Sequence, residues 1–162
     1  NGHATPWHQD GQYWPIRPLA TCTVWLAIDD ANVENGCLRF IKGSHKEKKL
    51  KSHNINDNKN LTLNQELDES EYNEKDAVNL ILKRGQISLH DVYFLHGSEA
   101  NNSSMARRAV TMRFMPTSSV FDHQMVKDKN LFSKLNASKY QDRKIYHMRG
   151  RDISGKNNLT YI

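Results

Sequence analysis

From residue 5 to residue 116 the chain is a succession of short apolar runs, each stopped by a turn signal, and no other feature constrains its fold as tightly. Residues 5–10 read as a short strand running into a loop, and Pro15 and Pro18 bracket an irregular connection. Residues 19–28 (LATCTVWLAI) are β-rich and nearly continuously apolar, as in a buried strand. The cluster 29–36 (DDANVENG) is a turn, 37–41 (CLRFI) alternates as the next strand, and Gly43-Ser44-His45 ends it. Further on, 77–82 (AVNLIL) reads as a strand, Lys83-Arg84-Gly85 as a tight turn, and 87–95 (ISLHDVYFL) as one or two short strands. Residues 96–106 read as a polar loop, and 107–115 (RRAVTMRFM) alternate as a last strand stopped by Pro116. Short strands with turns between them predict a mainly-β sandwich, jelly roll or barrel. A length of 162 residues suits one domain able to bury a core without disulfides.

Two segments depart from this pattern. Residues 45–76 start lysine-rich, pass through an asparagine-rich stretch and end acidic, which predicts a polar insertion with a helical turn near its end. Residues 121–162 hold nine Lys/Arg against four Asp/Glu and so carry the whole net charge of +5. A helical face over Leu131, Phe132 and Leu135 followed by a solvated basic tail is expected there, appended to a core at 1–120. The tail lacks the aromatic interleaving that stacks bases, which argues against nucleic acid as a partner. No apolar run approaches the roughly 18 residues of a membrane span. Cys22 and Cys37 lack metal spacing and are expected as buried free thiols, pointing to a reducing, cytoplasmic setting.

The residues that carry chemistry lie inside the β pattern. His8-Gln9-Asp10 sets an imidazole and a carboxylate two positions apart, and on a strand these share a face. His96 closes an apolar run and is followed by Gly97 and Ser98. Two histidines and one carboxylate make the facial triad of non-haem Fe(II) oxygenases, although the same set suits zinc. Arg107 opens the last strand, where a guanidinium fork could clamp an acidic cosubstrate. Tyr13 and Trp14 follow the first motif closely enough to line a substrate pocket; tryptophans are otherwise core residues. His90 stands beside Asp91, but neighbours on a strand face opposite sides, so that pair is a poor chelate.

In order along the chain, His8-Gln9-Asp10, Tyr13, Pro15, Arg17-Pro18, Trp25, Asn35-Gly36-Cys37-Leu38, Gly43-Ser44-His45-Lys46, His96-Gly97-Ser98 and Arg107 resemble the phytanoyl-CoA dioxygenase (PhyH) family of Fe(II)/2-oxoglutarate-dependent oxygenases. The resemblance covers residues 5–116. It implies a double-stranded β-helix, with His8, Asp10 and His96 as iron ligands. It implies Arg107 as partner of the distal 2-oxoglutarate carboxylate, with Ser98 and Trp25 lining that pocket and Arg108 facing away. It further implies dioxygen and a small organic substrate, whose C–H bond is hydroxylated as 2-oxoglutarate is decarboxylated to succinate. Related halogenases carry a small residue where Asp10 stands, so this carboxylate favours hydroxylation.

The family's pattern begins well upstream of the HxD triplet, so the chain reads as shortened at its start. A barrel lacking a strand leaves an open edge, which a second copy could cover, and self-association is expected. Two other readings stay open: a catalytically impaired β-barrel remnant that binds metal or an anion, and a cupin-like metalloenzyme that does not use 2-oxoglutarate.

Overall fold

The computed structural model describes residues 2–125, 140 and 142–162. Two antiparallel sheets carry the fold. The first is built from β1 (Thr5–His8), β4 (Leu38–Ile41), β7 (Ala77–Leu80) and β9 (His96–Ser98), in the order β1-β9-β4-β7. The second sets β3 (Cys22–Ala27) between β8 (Ile87–Asp91) and β10 (Ala109–Phe114). Short accessory pairs complete the described chain: β2 (Ile16–Arg17) with β11 (Val120–Phe121), β5 (His53–Ile55) with β6 (Gln65–Leu67), and the parallel pair β12 (Ile145–His147) and β13 (Leu159–Tyr161). The architecture is mainly β, a double-stranded β-helix. No helix among the described residues is long and apolar enough to cross a membrane.

Alternation along β3 explains where the core lies. Thr23, Trp25 and Ala27 are buried, whereas Val24 and Leu26 are half-buried and Cys22 is exposed on the other face. Trp25, Ala27, Ala31, Cys37, Leu38 and Leu82 form one buried cluster between the two sheets. Tyr13, Trp14, Ile16 and Phe121 form a second, against which Leu63, Tyr140 and Ile145 pack. Cys37 is the buried free thiol that was expected; Cys22 is free but exposed, because its parity turns it outward. Outward parity also leaves Ile87, Leu89, Val110, Met112 and Phe114 exposed on the same face of the β10-β3-β8 sheet.

Several expected loops have structure. His96–Ser98 is a strand rather than the start of a polar loop, because β1 and β4 pair with it on both sides. Gly97 permits this: a Cβ there would meet the Thr5 carbonyl oxygen at 3.0 Å. Residues 45–76 contain the β5–β6 hairpin and two 3-10 turns, Glu69–Glu71 and Glu74–Asp76, each opened by an Asp68 or Asn73 side chain accepting a backbone N–H. In the tail, the helical face expected at 131–135 lies outside the described residues. The described tail holds strands, as the β-branched and aromatic residues of Ile145–His147 and Leu159–Tyr161 favour.

The other motif residues are explained by packing. Asn35 is fully buried; its amide donates to the Asp30 and Ala106 carbonyls at 2.8 and 3.2 Å, which ties the 29–36 turn to the residue before Arg107. Gly36 has φ +73, and a Cβ would stand 2.5 Å from the Glu99 carbonyl oxygen, so only glycine fits. Ser44 Oγ accepts from the Leu95 N–H at 2.9 Å, fixing the approach to β9, and His45 stacks on Phe94.

Candidate metal centre

β1 delivers His8 to the space between the sheets, and β9 delivers His96 directly opposite it in the ladder. Both imidazoles are buried, with ring centroids 4.1 Å apart. His8 Nδ1 lies 2.9 Å from the Pro6 carbonyl and His96 Nδ1 lies 2.9 Å from the Phe94 carbonyl. A carbonyl only accepts, so each Nδ1 carries the proton and each Nε2 is left with a free lone pair. Asp10 does not share a strand with His8, as the triplet suggested. β1 ends at His8, and Asp10 begins a 3-10 turn, Asp10–Gln12, held by the Gly11 N–H on the Val92 carbonyl at 3.0 Å. The turn still brings its carboxylate back, and ligand atoms of His8, Asp10 and His96 all lie within 4.8 Å of one another.

Three residues of the second sheet, side by side in one rung, grip Asp10. Thr23 on β3 is in register with Arg113 on β10 and with His90 on β8. Thr23 Oγ1 donates to Asp10 Oδ2 at 2.8 Å, Arg113 Nη2 donates to Oδ1 at 2.9 Å, and His90 Nε2 stands 3.7 Å from Oδ2. Burial disfavours the carboxylate charge, but His90, His96, Arg113 and His8 together hold its pKa well below the ordinary range. Burial pushes both His8 and His96 below the ordinary histidine value, so they are neutral near pH 7. A carboxylate beside two neutral imidazoles is the protonation state a divalent metal requires.

The spacer residue has its own function in the architecture. Gln9 is fully buried, and its amide donates to the Lys49 and Tyr93 carbonyls at 2.9 and 2.7 Å while accepting from the Lys51 N–H at 2.7 Å. Its backbone N–H donates to His53 Nε2 at 3.2 Å. The polar insertion is therefore docked on the residue between two candidate ligands.

A cavity of about 400 Å³ opens over the triad. Trp25, Arg107, Tyr13 and Trp14 line it, as does the unexpected Arg113. Arg107 packs 6.0 Å from the Trp25 ring centre, and its Nε is buried with no hydrogen-bond partner. Arg108 turns outward and forks onto Asp29 at 2.8 and 2.9 Å. Ser98, two positions after His96, has a buried hydroxyl with no partner. Tyr13 donates to the Gln65 carbonyl at 3.3 Å, and burial raises its pKa above the ordinary value. His90 was set aside in the sequence as a poor chelate with Asp91, and Arg113 was not singled out, yet parity marks it: Arg113 is six positions from Arg107, and six is even.

Comparison with known proteins identifies the family. Residues 1–109 match the family model described as phytanoyl-CoA dioxygenase (PhyH). The chain belongs to the phytanoyl-CoA dioxygenase family. Among its PhyH relatives, the phytanoyl-CoA dioxygenase domain-containing protein 1 homolog of Dictyostelium discoideum is 36% identical over 110 residues, covering 67% of this chain and 39% of the relative. The peroxisomal phytanoyl-CoA dioxygenase of Homo sapiens is 32% identical over 116 residues, covering 67% of this chain and 32% of the relative. The chain thus spans about two fifths or less of these relatives' lengths. The crystal structure of EvdO2 from Micromonospora carbonacea var. aurantiaca complexed with 2-oxoglutarate superposes with a TM-score of 0.59 at 30% identity, over 70% of this PhyH chain and 46% of EvdO2.

Proposed function

We propose that this PhyH chain carries the metal and cosubstrate site of an Fe(II)/2-oxoglutarate-dependent dioxygenase that hydroxylates a C–H bond of a small organic molecule. The observation that carries the reading is the convergence of His8, Asp10 and His96 ligand atoms within 4.8 Å, with both histidine Nδ1 atoms already committed to carbonyls. The donor set fits iron, and the orphaned Arg107 Nε and Ser98 hydroxyl fit a bound carboxylate that would satisfy them. EvdO2, similar in fold, binds 2-oxoglutarate.

In this reading His8 Nε2, His96 Nε2 and an Asp10 oxygen hold the metal. Arg107 receives the distal carboxylate of 2-oxoglutarate, with Ser98 and Trp25 beside it. Iron with 2-oxoglutarate and dioxygen supplies the oxidising chemistry when bound. The chain's own residues orient: Thr23 and Arg113 fix the Asp10 carboxylate, and Phe40, stacked on His96 at 5.5 Å, fixes that ring. Tyr13 and Trp14 wall the substrate side. Asp10 fills the place a halide would need, which favours hydroxylation over halogenation.

The test is anaerobic addition of Fe(II) and then 2-oxoglutarate, followed in the visible range. A metal-to-ligand charge-transfer band is expected in the wild type and lost in Asp10→Ala, with succinate formed once air is admitted. No band, or a band that survives Asp10→Ala, overturns the proposal; a band without succinate favours a metal-binding remnant. The free thiols Cys22 and Cys37 support a cytoplasmic setting. The human relative is named as peroxisomal, so a peroxisomal pool on cell fractionation would overturn that placement.

A further inference from the structure

Three arginines face one cavity, and the metal and cosubstrate account for only one of them. Arg107 is committed in the reading above. Arg113 spends one N–H on Asp10 and Arg143 none, and both also line the cavity. Their guanidinium carbons sit over the same indole, 4.6 and 5.1 Å from the Trp14 ring centre, and Arg143 lies 5.0 Å from the Tyr140 ring centre as well. Among the described residues, Asp10 is the sole carboxylate lining the cavity. It pairs with Arg113, and among the described residues no carboxylate pairs with Arg143. Both cations therefore remain at the cavity with little to balance them once a metal draws on Asp10.

Charge bookkeeping makes the excess plain. A divalent metal and a doubly charged 2-oxoglutarate cancel one another, and Asp10 offsets one arginine. Two positive charges are left over side by side at the cavity, on Arg113 and Arg143. Cation–π contact with Trp14 relieves part of this. An oxyanion relieves the rest, because a guanidinium fork matches carboxylate or phosphate oxygens two at a time. Tyr13, Leu38, Leu63 and Tyr140 give the cavity an aromatic and apolar stretch, beside the hydroxyls of Thr5 and Thr111, that suits an apolar body attached to that anion. A cavity of about 400 Å³ holds only a small molecule.

We propose that the substrate of this site is a small anionic molecule, with a carboxylate or phosphate group held by Arg143 and Arg113 beside Trp14 and an apolar body directed toward the metal. The inference rests on the iron and 2-oxoglutarate reading, because Arg107 must be occupied for the other two arginines to be surplus. Arg143 is the informative position: it is exposed and does not touch Asp10, so its removal leaves the triad intact.

The experiment uses benzoate and phenylphosphonate as anionic probes and benzamide as the neutral isostere. Binding is measured by titration calorimetry on protein loaded with Mn(II) and saturating 2-oxoglutarate under nitrogen. Benzoate or phenylphosphonate is expected to bind at least tenfold tighter than benzamide. Arg143→Gln should remove most of that difference while leaving benzamide and 2-oxoglutarate affinities within about twofold. Equal affinity for anion and isostere overturns the proposal, as does discrimination that survives Arg143→Gln. Displacement of 2-oxoglutarate by benzoate also overturns it, since the anion would then sit on Arg107. Metal-dependent binding of 2-oxoglutarate is measured first, and its absence in the wild type defeats the underlying reading, which is how the two failures are told apart.

Discussion

At the scale of single residues, the candidate site depends on partners outside the ligand set. Thr23 gives Asp10 a hydroxyl hydrogen bond at 2.8 Å, and valine at that position keeps the shape but not the bond. Thr23→Val is expected to weaken Mn(II) binding roughly 10- to 100-fold, as loss of an orienting partner does at other metal sites, with an unchanged circular dichroism spectrum; titration with Mn(II) checks it. His53 adds a pH dependence. Its Nε2 accepts the Gln9 N–H while its Nδ1 donates to the Lys51 carbonyl, so it must be neutral. Burial lowers its pKa below the ordinary value of 6.5, outweighing the Lys51 carbonyl and the Glu71 charge, which raise it. The unfolded chain therefore takes the proton more readily, and stability falls as pH drops through 6.5. Between pH 7.5 and 5.5 the wild type should lose more melting temperature than His53→Gln; equal losses would defeat this account. His8, Asp10, His96 and Arg107 could be picked out as candidates in the sequence because their types and their order along the chain together resemble the PhyH pattern, although each alone is a weak signal. Thr23, His90 and Arg113 could not, since a threonine, a histidine and an arginine on strands announce nothing until cross-strand register aligns them.

At the scale of elements, strand positions followed from apolar runs and their stops, whereas their ends did not. The run at 19–28 shortens to Cys22–Ala27, and the run at 87–95 breaks after Asp91, whose carboxylate caps the Tyr93 N–H at 2.8 Å. His96–Ser98 looked like loop because Gly and Ser favour turns, and only its two flanking strands make it a strand. The insertion at 45–76 was legible as polar, but its docking was not, because one buried glutamine anchors its 49–51 stretch through contacts distant in sequence. Gln9→Leu removes three side-chain hydrogen bonds of about 1 kcal/mol each. The docking is expected to weaken by about 3 kcal/mol, so amide exchange across residues 49–55 should accelerate about 100-fold while that of β3 holds. Uniform acceleration throughout the chain would mean that Gln9 supports global stability instead.

At the scale of the whole molecule, the β10-β3-β8 sheet carries apolar side chains on both sides of its central strand, with Thr23, His90 and Arg113 also on the inner face. Its inner face meets the core and the cavity; its outer face shows Leu89 at 62% and Ile87 at 53% exposure beside Val110, Met112 and Phe114. β10 pairs with β3 alone among the described strands, so its other edge is open. Two such outer faces can pack against each other about a two-fold axis and hide these side chains. Sedimentation is expected to show a concentration-dependent dimer, weakened at least tenfold by Leu89→Lys; a monomer at all concentrations would exclude it. The two-sided sheet has another consequence, for how the chain finds its fold. Displacing β3 by one residue would put Cys22, Val24 and Leu26 inside and Thr23, Trp25 and Ala27 outside, and the strand would be nearly as greasy on each side as before. Hydrophobicity is then a poor guide to which way up the strand belongs. What a displaced strand loses is the hydroxyl beneath Asp10 and its alignment with Arg113 and His90, so the residues that grip the Asp10 carboxylate also proofread the sheet.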